Sequence, residues 1–309
     1  MEIRQLQAMI TLINSDFSVS KTADQLYLVQ SAVSQQLKKL ELELGGDLFE
    51  RKGKRLTGLT AFGIQVEQQA RKSLNAVKNI HLLSEDNLMV GKGVLRIGCT
   101  HTQARYILPT VIRAFHQSFP DIELQIHQGN PKQLVAWAGN DEVDFSICTE
   151  ELAESGKLQS IPCYQWNRSL VTLPGHALHK IKKLTLKDLA AYPIITYILG
   201  FTGRQHFNDI FTQAGLAPNT ILSAADTDII KAYVLEGLGI GVIADMAFDP
   251  LIDSGLIKRD LSDLFPWETT RIAYLKDKYI RRSQQRFIDL FLETIRMDST
   301  GRFKVVSEN

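Results

Sequence analysis

The sequence predicts a mixed fold in three parts: an N-terminal winged helix-turn-helix, a long linker helix, and a C-terminal α/β domain of two lobes. Three observations predict it. Within the first sixty residues, a helix with one polar face follows a shorter helix and precedes a basic hairpin. A single helical periodicity then runs for about 25 residues, near 38 Å of helix. Beyond a short Gly-bearing stretch at 87–93, strand-like and helix-like segments alternate along the rest of the chain.

Taken in order, Ile3, Leu6, Met9, Ile10 and Ile13 line one face of a first helix that backs the motif. Residues 18–26 read as a second short helix, with Ala23 small enough for a close crossing. After a four-residue turn, Val33, Leu37, Leu40 and Leu44 recur at i, i+4, i+7 and i+11 and form one apolar stripe. The other face carries Ser31, Ser34, Gln35 and Lys38, with Gln30 at its start. Short polar and amide groups there can reach base edges, and a lysine can reach a phosphate. An ordinary amphipathic surface helix has the same periodicity. The distinguishing feature lies just downstream of the helix: Gly45-Gly46 breaks it, and Arg51, Lys52, Lys54 and Arg55 place four positive charges in five residues around Gly53. That run reads as a hairpin wing lying along a phosphate backbone.

The bulk numbers narrow the classes. At 309 residues the chain suggests two or three domains, and 44% apolar with 22% charged residues is globular composition. Net charge is +1, and residues 1–58 hold eight basic and seven acidic side chains, so a DNA partner would need locally focused charge and more than one copy of the chain. Cys99, Cys148 and Cys163 have no metal-ligand spacing and suit a reducing compartment. With no signal peptide and no apolar run near the ~18–20 residues of a membrane span, the expectation is a cytoplasmic protein without membrane contact. No metal or cofactor is expected.

Thr60 can cap the long helix, which is expected to run to about residue 84 with Phe62, Val66, Ala70, Leu74 and Val77 on one stripe and Gln65, Gln68, Lys72 and Asn79 opposite. It serves either as a solvated connector or as a coiled-coil dimer seam, which would let two reading heads bind two half-sites. In the α/β half, a strand at 95–98 leads to a helix at 102–117. Strands at 122–127 and 143–148 flank a helix at 131–138. A second set comes after them: strand 194–197, helix 204–214, strand 221–223, helix 228–235 and a strand after Gly237-Leu238-Gly239. Segments 170–173 and 271–275 are plausible crossovers, and a helix at 280–297 closes the chain. Such open sheets seat ligands beyond the carboxyl ends of their strands.

With these residues assembled, the chain resembles the LysR-type transcriptional regulators. Ala23, Leu26, Gln30 through Ser34, Leu40-Glu41, Leu48-Phe49, Arg51, Thr57 through Gly63 and the Gly237–Ile240 step carry the resemblance over nearly the whole chain. It implies a winged helix-turn-helix, a linker-helix dimer, a periplasmic-binding-protein-like effector domain, assembly as a homotetramer, and RNA polymerase as a partner at promoter DNA. The segments Cys99 through Tyr106, Cys163 through Arg168 and Gly200 through Arg204 are similar to the CysB and Cbl branch. That likeness implies control of sulfur assimilation and cysteine biosynthesis, with acetylserine inducers and sulfate or thiosulfate as opposing anions. The branch tends to carry proline and glycine where this chain has Ser31 and Ala32. The implied division is a head at 1–59, a linker helix at 60–87 and an effector domain at 88–309, with lobe I at about 93–163 and 269–297 and lobe II at about 164–268.

Physically, Thr100 ends a strand and Thr102 and Gln103 open the next helix, where outward N–H groups make an anion seat. Thr149 closes a neighbouring strand, and Thr202 in a Gly-flanked loop can meet them from the other lobe. Each threonine alone is commonly a helix cap; their convergence, with the resemblance behind it, marks an effector site. Asp226-Thr227-Asp228 can cap the next helix, and Thr227 is expected both there and at the ligand. His101 has no nucleophile or carboxylate pair beside it, which weighs against an enzyme with an accessory DNA-binding head. A thiol sensor at Cys99 and Cys148 is a minor alternative. The remaining rival is a LysR-type regulator of another pathway, sensing a different small carboxylate.

Overall fold

The computed structural model describes residues 1–53, 55–88, 92–296 and 304–305. The chain divides into two compact units, Met1–Leu88 with Asp277–Tyr279, and Met89–Lys276 with Ile280–Asn309.

In the first unit, α1 (Ile3–Asn14), α2 (Val19–Leu26) and α3 (Gln30–Leu44) precede a two-stranded hairpin, β1 (Phe49–Lys52) and β2 (Arg55–Leu59), and the long helix α4 (Ala61–Leu88). Ser18 caps α2 by accepting from the Lys21 N–H. The turn to α3 is Tyr27-Leu28-Val29, three residues rather than four, with Tyr27 left-handed at φ 55°. Val33, Leu37 and Leu40 are buried with Leu6, Ala8, Met9 and Leu12 of α1, so the predicted stripe of α3 forms the core of this unit. On α1 the buried face is Leu6, Ala8, Met9 and Leu12, whereas Ile3 is exposed and Ile10 and Ile13 lie at the margin. Gly45 ends α3 at φ 71°, as a C-terminal glycine does. Lys52 pairs with Arg55, leaving a two-residue turn that begins at Gly53; Lys54, expected in the wing, lies outside the described residues.

Thr60 caps α4 through its hydroxyl, which accepts from the Gly63 N–H at 2.9 Å. The helix runs four residues beyond the expected end at 84. Its predicted stripe is largely used at home: Ala70 is buried in this unit's core, and Val66 and Leu74 pack against it. The apolar groups left outward are Phe62, Ile64, Ile80, Leu83 and Leu88.

The second unit holds two sheets. The six-stranded sheet has the order β13-β6-β12-β5-β3-β4, built from β3 (Gly93–Cys99), β4 (Ile122–Gln128), β5 (Phe145–Cys148), β6 (Leu158–Trp166), β12 (Glu268–Leu275) and β13 (Lys304–Val305). The five-stranded sheet has the order β11-β7-β10-β8-β9, built from β7 (Arg168–Thr172), β8 (Ile194–Tyr197), β9 (Thr220–Ala224), β10 (Ile240–Ala244) and β11 (Ile257–Asp260). The helices between them are α5 (His101–Tyr106), α6 (Leu108–Ser118), α7 (Pro131–Gly139), α8 (Leu186–Ala190), α9 (Arg204–Gln213), α10 (Thr227–Leu235) and α11 (Arg282–Arg296). β3 runs parallel to β4 and β5, and β8 runs parallel to β9 and β10, the pattern of βα crossovers.

The single helix expected at 102–117 is two. Pro109 lies in the first turn of α6 and has no N–H to donate to the carbonyl of Arg105, so the ladder breaks at Ile107. Strands β6 and β11 and helix α8 have no counterpart in the sequence reading. The chain passes between sheets twice, at Asn167 between β6 and β7, and again between β11 and β12. Asn167 ties the two passages together: its Nδ2 donates to the Phe265 carbonyl at 2.9 Å, its Oδ1 accepts from the Arg168 N–H, and its own carbonyl accepts from the Asp245 N–H. The lobe containing β3 is filled by Phe115, Phe145, Phe287 and Phe291, with Phe145 and Phe287 stacked at 5.7 Å. The other is filled by Leu170, Phe207, Phe211, Val242 and Phe265.

Candidate functional site

Thr100 is the residue between β3 and α5, and Thr102 and Gln103 lie in the first turn of α5. Thr149 and Glu150 follow β5, and Thr202 precedes Gly203, the residue before α9. Together with Trp166 and Met246 they line one narrow pocket. Five of the six residues expected at the effector site are thus brought together, two loops and a helix start from the first lobe meeting one loop from the second.

Each group has a defined setting. The Tyr164 hydroxyl donates to Gln103 Oε1 at 2.7 Å, so the Nε2 end of the amide is the one left for a ligand. Trp166 Nε1 donates to Thr149 Oγ1 at 3.2 Å, and Thr270 Oγ1 lies 3.4 Å from the same atom. Thr102 Oγ1 is buried near the Tyr197 hydroxyl, which already engages Thr227 and the Ala244 N–H, and makes no well-formed hydrogen bond. Leaving such a hydroxyl unpaired costs about 1–3 kcal/mol, which a ligand oxygen would recover. Thr202 has φ 46°, a left-handed conformation that a β-branched residue adopts only under constraint.

Thr227 is not among the lining residues. It opens α10 fully buried, with its Oγ1 2.8 Å from the Tyr197 hydroxyl, which in turn accepts from the Ala244 N–H at 3.0 Å. Its hydroxyl is taken up by Tyr197 and not turned to the pocket. The cap of α10 is Asp226, accepting from the Asp228 N–H at 2.7 Å. The helix-dipole argument for the anion seat also weakens, because α5 has six residues and sums few peptide dipoles. The donors are side chains.

Charge lies behind and beside these neutral groups. Arg168 is buried between the rings of Trp166 and Phe265, and its Nη2 donates to Glu268 Oε1 and to the Gly203 carbonyl, both at 2.7 Å. His206 Nδ1 is 3.0 Å from both Glu268 oxygens. Gly203, at φ 67°, leaves this pair its room: a Cβ there would sit 2.2 Å from Arg168 Nη2. Its N–H donates to Glu150 Oε1, a bond from one lobe to the other. Burial pushes the Glu150 carboxyl above its ordinary value, with the Gly203 N–H the largest opposing influence. Glu150 and the pocket-facing indole of Trp166 escaped the sequence reading, although Glu150 directly follows a residue named for the site and its position was the available signal.

The other candidates resolve simply. Against the expectation that His101 has no carboxylate pair beside it, Asp226 and Asp228 stand next to it, brought there by the start of α10, and its Nε2 pairs with Asp226 Oδ2 at 2.9 Å. His101, Asp226 and Asp228 bring ligand-type atoms within 4.8 Å of one another, but Asp228 is also met by the Tyr106 hydroxyl at 2.5 Å, Lys231 at 3.0 Å and Arg105 at 3.4 Å, so the cluster is balanced by protein cations. Arg204 donates to the Tyr197 carbonyl and to Asn208, Ser223 and Thr220, a structural role. Cys99, Cys148 and Cys163 are free and buried; burial raises the Cys99 and Cys163 thiols to about 12 and holds Cys148 well above its usual value. Thiols kept neutral in this way are poor redox sensors.

In the first unit, Gln30, Ser31, Ser34, Gln35 and Lys38 are all exposed on the outward face of α3. Arg51, Lys52 and Arg55 are exposed on the hairpin. Arg51 is held by Glu41 Oε2 at 2.6 Å, while Glu41 Oε1 accepts from the Leu48 N–H at 3.0 Å, so one buried carboxylate fixes the base of the wing to α3. Among the described residues, no helix is long and apolar enough to cross a membrane.

A winged helix-turn-helix on the same chain as a two-lobed α/β unit with a polar pocket defines a DNA-binding regulator that carries an effector domain. Residues 3–64 match the bacterial regulatory helix-turn-helix protein, lysR family, and residues 90–296 match the LysR substrate binding domain. The chain belongs to the LysR family of transcriptional regulators. It is 42% identical to the HTH-type transcriptional regulator SsuR of Burkholderia cenocepacia, over 94% of each chain. With the regulator CysB of Haemophilus influenzae it shares 39% identity over 94% of this chain and 90% of that one. The crystallised cofactor-binding domain of the Cbl transcriptional regulator is 38% identical, covers 67% of this chain and 93% of its own, and superposes with a TM-score of 0.63.

Proposed function

We propose that this regulator controls sulfur assimilation and cysteine biosynthesis genes from the cytoplasm, and that its effector, an acetylserine inducer or a sulfate-type anion, binds among Thr100, Thr102, Gln103, Thr149 and Thr202. The observation that carries the ligand reading is the buried Thr102 hydroxyl, without a well-formed hydrogen bond, in a pocket of neutral donors. Neutral donors hold an anion while letting it leave, as a metabolite sensor requires. Likeness to SsuR, CysB and Cbl supports the pathway. The head is taken as residues 1–59, the linker as 60–87 and the effector domain as 88–309. Gln30, Ser31, Ser34, Gln35 and Lys38 face the groove, with Arg51, Lys52, Lys54 and Arg55 on phosphates. The chain works as a homo-oligomer, a tetramer of paired heads, acting on RNA polymerase at the promoter. Effector binding favours one arrangement of the lobes and so shifts the assembly's equilibrium on DNA.

The test is calorimetric and thermal-shift titration of the full chain with N-acetylserine, O-acetylserine, sulfate and thiosulfate. A ligand at ~100 times its dissociation constant adds about 2.7 kcal/mol of stability. That response disappears in Thr100→Val and Thr202→Val, while DNA binding without effector persists. A folded protein indifferent to all four compounds would move the ligand to another small carboxylate and remove the sulfur assignment.

A further inference from the structure

The pocket contains one group that an anion should not meet. Glu150 lines it beside Thr149, on the same wall as the neutral donors. Its Oε1 accepts from the Gly203 N–H across the lobes, and its Oε2 is buried with no hydrogen-bond partner. An ionised carboxylate there would repel a bound sulfate or carboxylate at close range, in a site where water screens little. The two charges become compatible only if a proton lies between them.

We propose that Glu150 is the proton-holding residue of the effector pocket: an anion without a proton of its own binds together with one proton on Glu150 Oε2, which then donates to the anion. This rests on the assignment of the pocket to the effector. The proton comes from solvent, and Oε1 keeps its bond from Gly203. The same carboxylate, left ionised, accepts from a ligand that brings an N–H or O–H, so the residue accommodates both kinds of ligand and takes up a proton only with the kind that carries no donor.

The groups around Glu150 fit this role. Burial is the main influence raising its pKa, the N–H groups of Gly203 and of Glu150 itself oppose, Glu268 adds a smaller rise and Arg168 a smaller fall. Arg168 does not neutralise Glu150 by contact, since its Nη2 is committed to Glu268 and the Gly203 carbonyl and its Nη1 has no partner. Glu151 is the chain neighbour, and Cys148, one residue before Thr149, is held neutral by burial. From α9, His206 reaches only Glu268; from α5, His101 is tied to Asp226.

Sulfate, fully ionised near neutrality, is the probe. Its affinity for the full chain is measured by calorimetry between about pH 5.5 and 8.5, with each point repeated in buffers of different ionisation enthalpy. The expected result is an affinity falling towards about tenfold per pH unit on the alkaline side, with uptake of about one proton per sulfate. In Glu150→Gln, whose amide donates at every pH, sulfate binding becomes nearly independent of pH and tighter at the alkaline end. Sulfate bound by Glu150→Gln but not by the native chain at neutral pH also supports the proposal. The same pH slope in both proteins would place the proton on a group other than Glu150 and overturn the proposal, as would pH-independent binding without proton uptake by the native chain. Sulfate bound by neither protein would overturn this proposal, whereas acetylserine binding that is lost in Thr100→Val would leave the pocket assignment standing.

Discussion

At the scale of single residues, the pocket region combines groups whose burial is only partly compensated. Thr102 lacks a well-formed hydrogen bond, Thr202 is held at φ 46°, and Glu150 has one carboxylate oxygen paired and one not. Glu150 also makes stability depend on pH. Because burial raises its carboxyl in the folded protein, the fold favours the protonated form. The favourable contribution is complete below the carboxylate's unfolded pKa and is lost as pH rises through the folded one. Glu150→Gln should therefore stabilise the ligand-free effector unit at neutral pH by roughly 1–3 kcal/mol, with the gain vanishing as pH falls through the ordinary carboxylate range. Denaturant unfolding at several pH values measures it; a gain that persists in acid would show that the amide helps by packing and not by removing a charge. The threonines and Gln103 were legible in the sequence because strand ends and helix starts present short polar side chains to a cleft. Thr227 lies outside the pocket's lining, with its hydroxyl beside that of Tyr197; a hydroxyl at the start of a helix looks the same in sequence whether a ligand or a protein group takes it.

At the scale of elements, legibility followed length and regularity. The stripe of α3 and the parallel strands β3, β5, β8 and β10 carry periodic or continuous apolar runs that survive into the structure. Strand β6 contains Pro162 and only three buried side chains at Leu158, Cys163 and Tyr164 before Trp166, so its alternation is broken. Strand β11 has Lys258, Arg259 and Asp260 among its four residues, the charged habit of a sheet edge, which by sequence reads as a loop. In the head, the start of α4 is fixed less by its stripe than by Gly63. A Cβ there would lie 2.0 Å from the Leu48 carbonyl oxygen, backbone that cannot rotate away. Gly63→Ala should lower the stability of the head by about 1–3 kcal/mol and weaken DNA binding, leaving effector titration unaltered. Circular dichroism melts and ligand titration on the same preparation check both parts, and an unchanged head would mean that α4 can shift away from β1 at little cost.

At the scale of the molecule, the head has too little to hold DNA alone. Of the eight basic residues in 1–58, six fall in α3 and the run 51–55, with Arg4 on α1 and Lys21 on α2, and Arg51 is already paired with Glu41. Non-specific phosphate contacts of this number fade quickly with salt. Pairing two heads on one DNA would raise that affinity, and the exposed apolar groups of α4 are the surface that such pairing would use. Ile80 and Leu83 stand exposed three residues apart, with Leu88 beyond them, while Ala70, Val66 and Leu74 are already used within the head. Two copies of α4 burying such a seam would make the second head's binding intramolecular, raising the affinity for a paired site by about 10²–10⁴ over a half-site. Leu83→Glu would place two carboxylates in that seam. The expected outcome is a fall in mass by light scattering and a loss of the paired-site advantage in DNA titrations, with half-site binding and effector binding retained. If the mass and the advantage both survive, the heads are paired by some other surface, and the apolar residues of α4 need a different explanation. If the mass falls but the advantage survives, the paired heads are held through the effector units, which would then set the spacing of the half-sites.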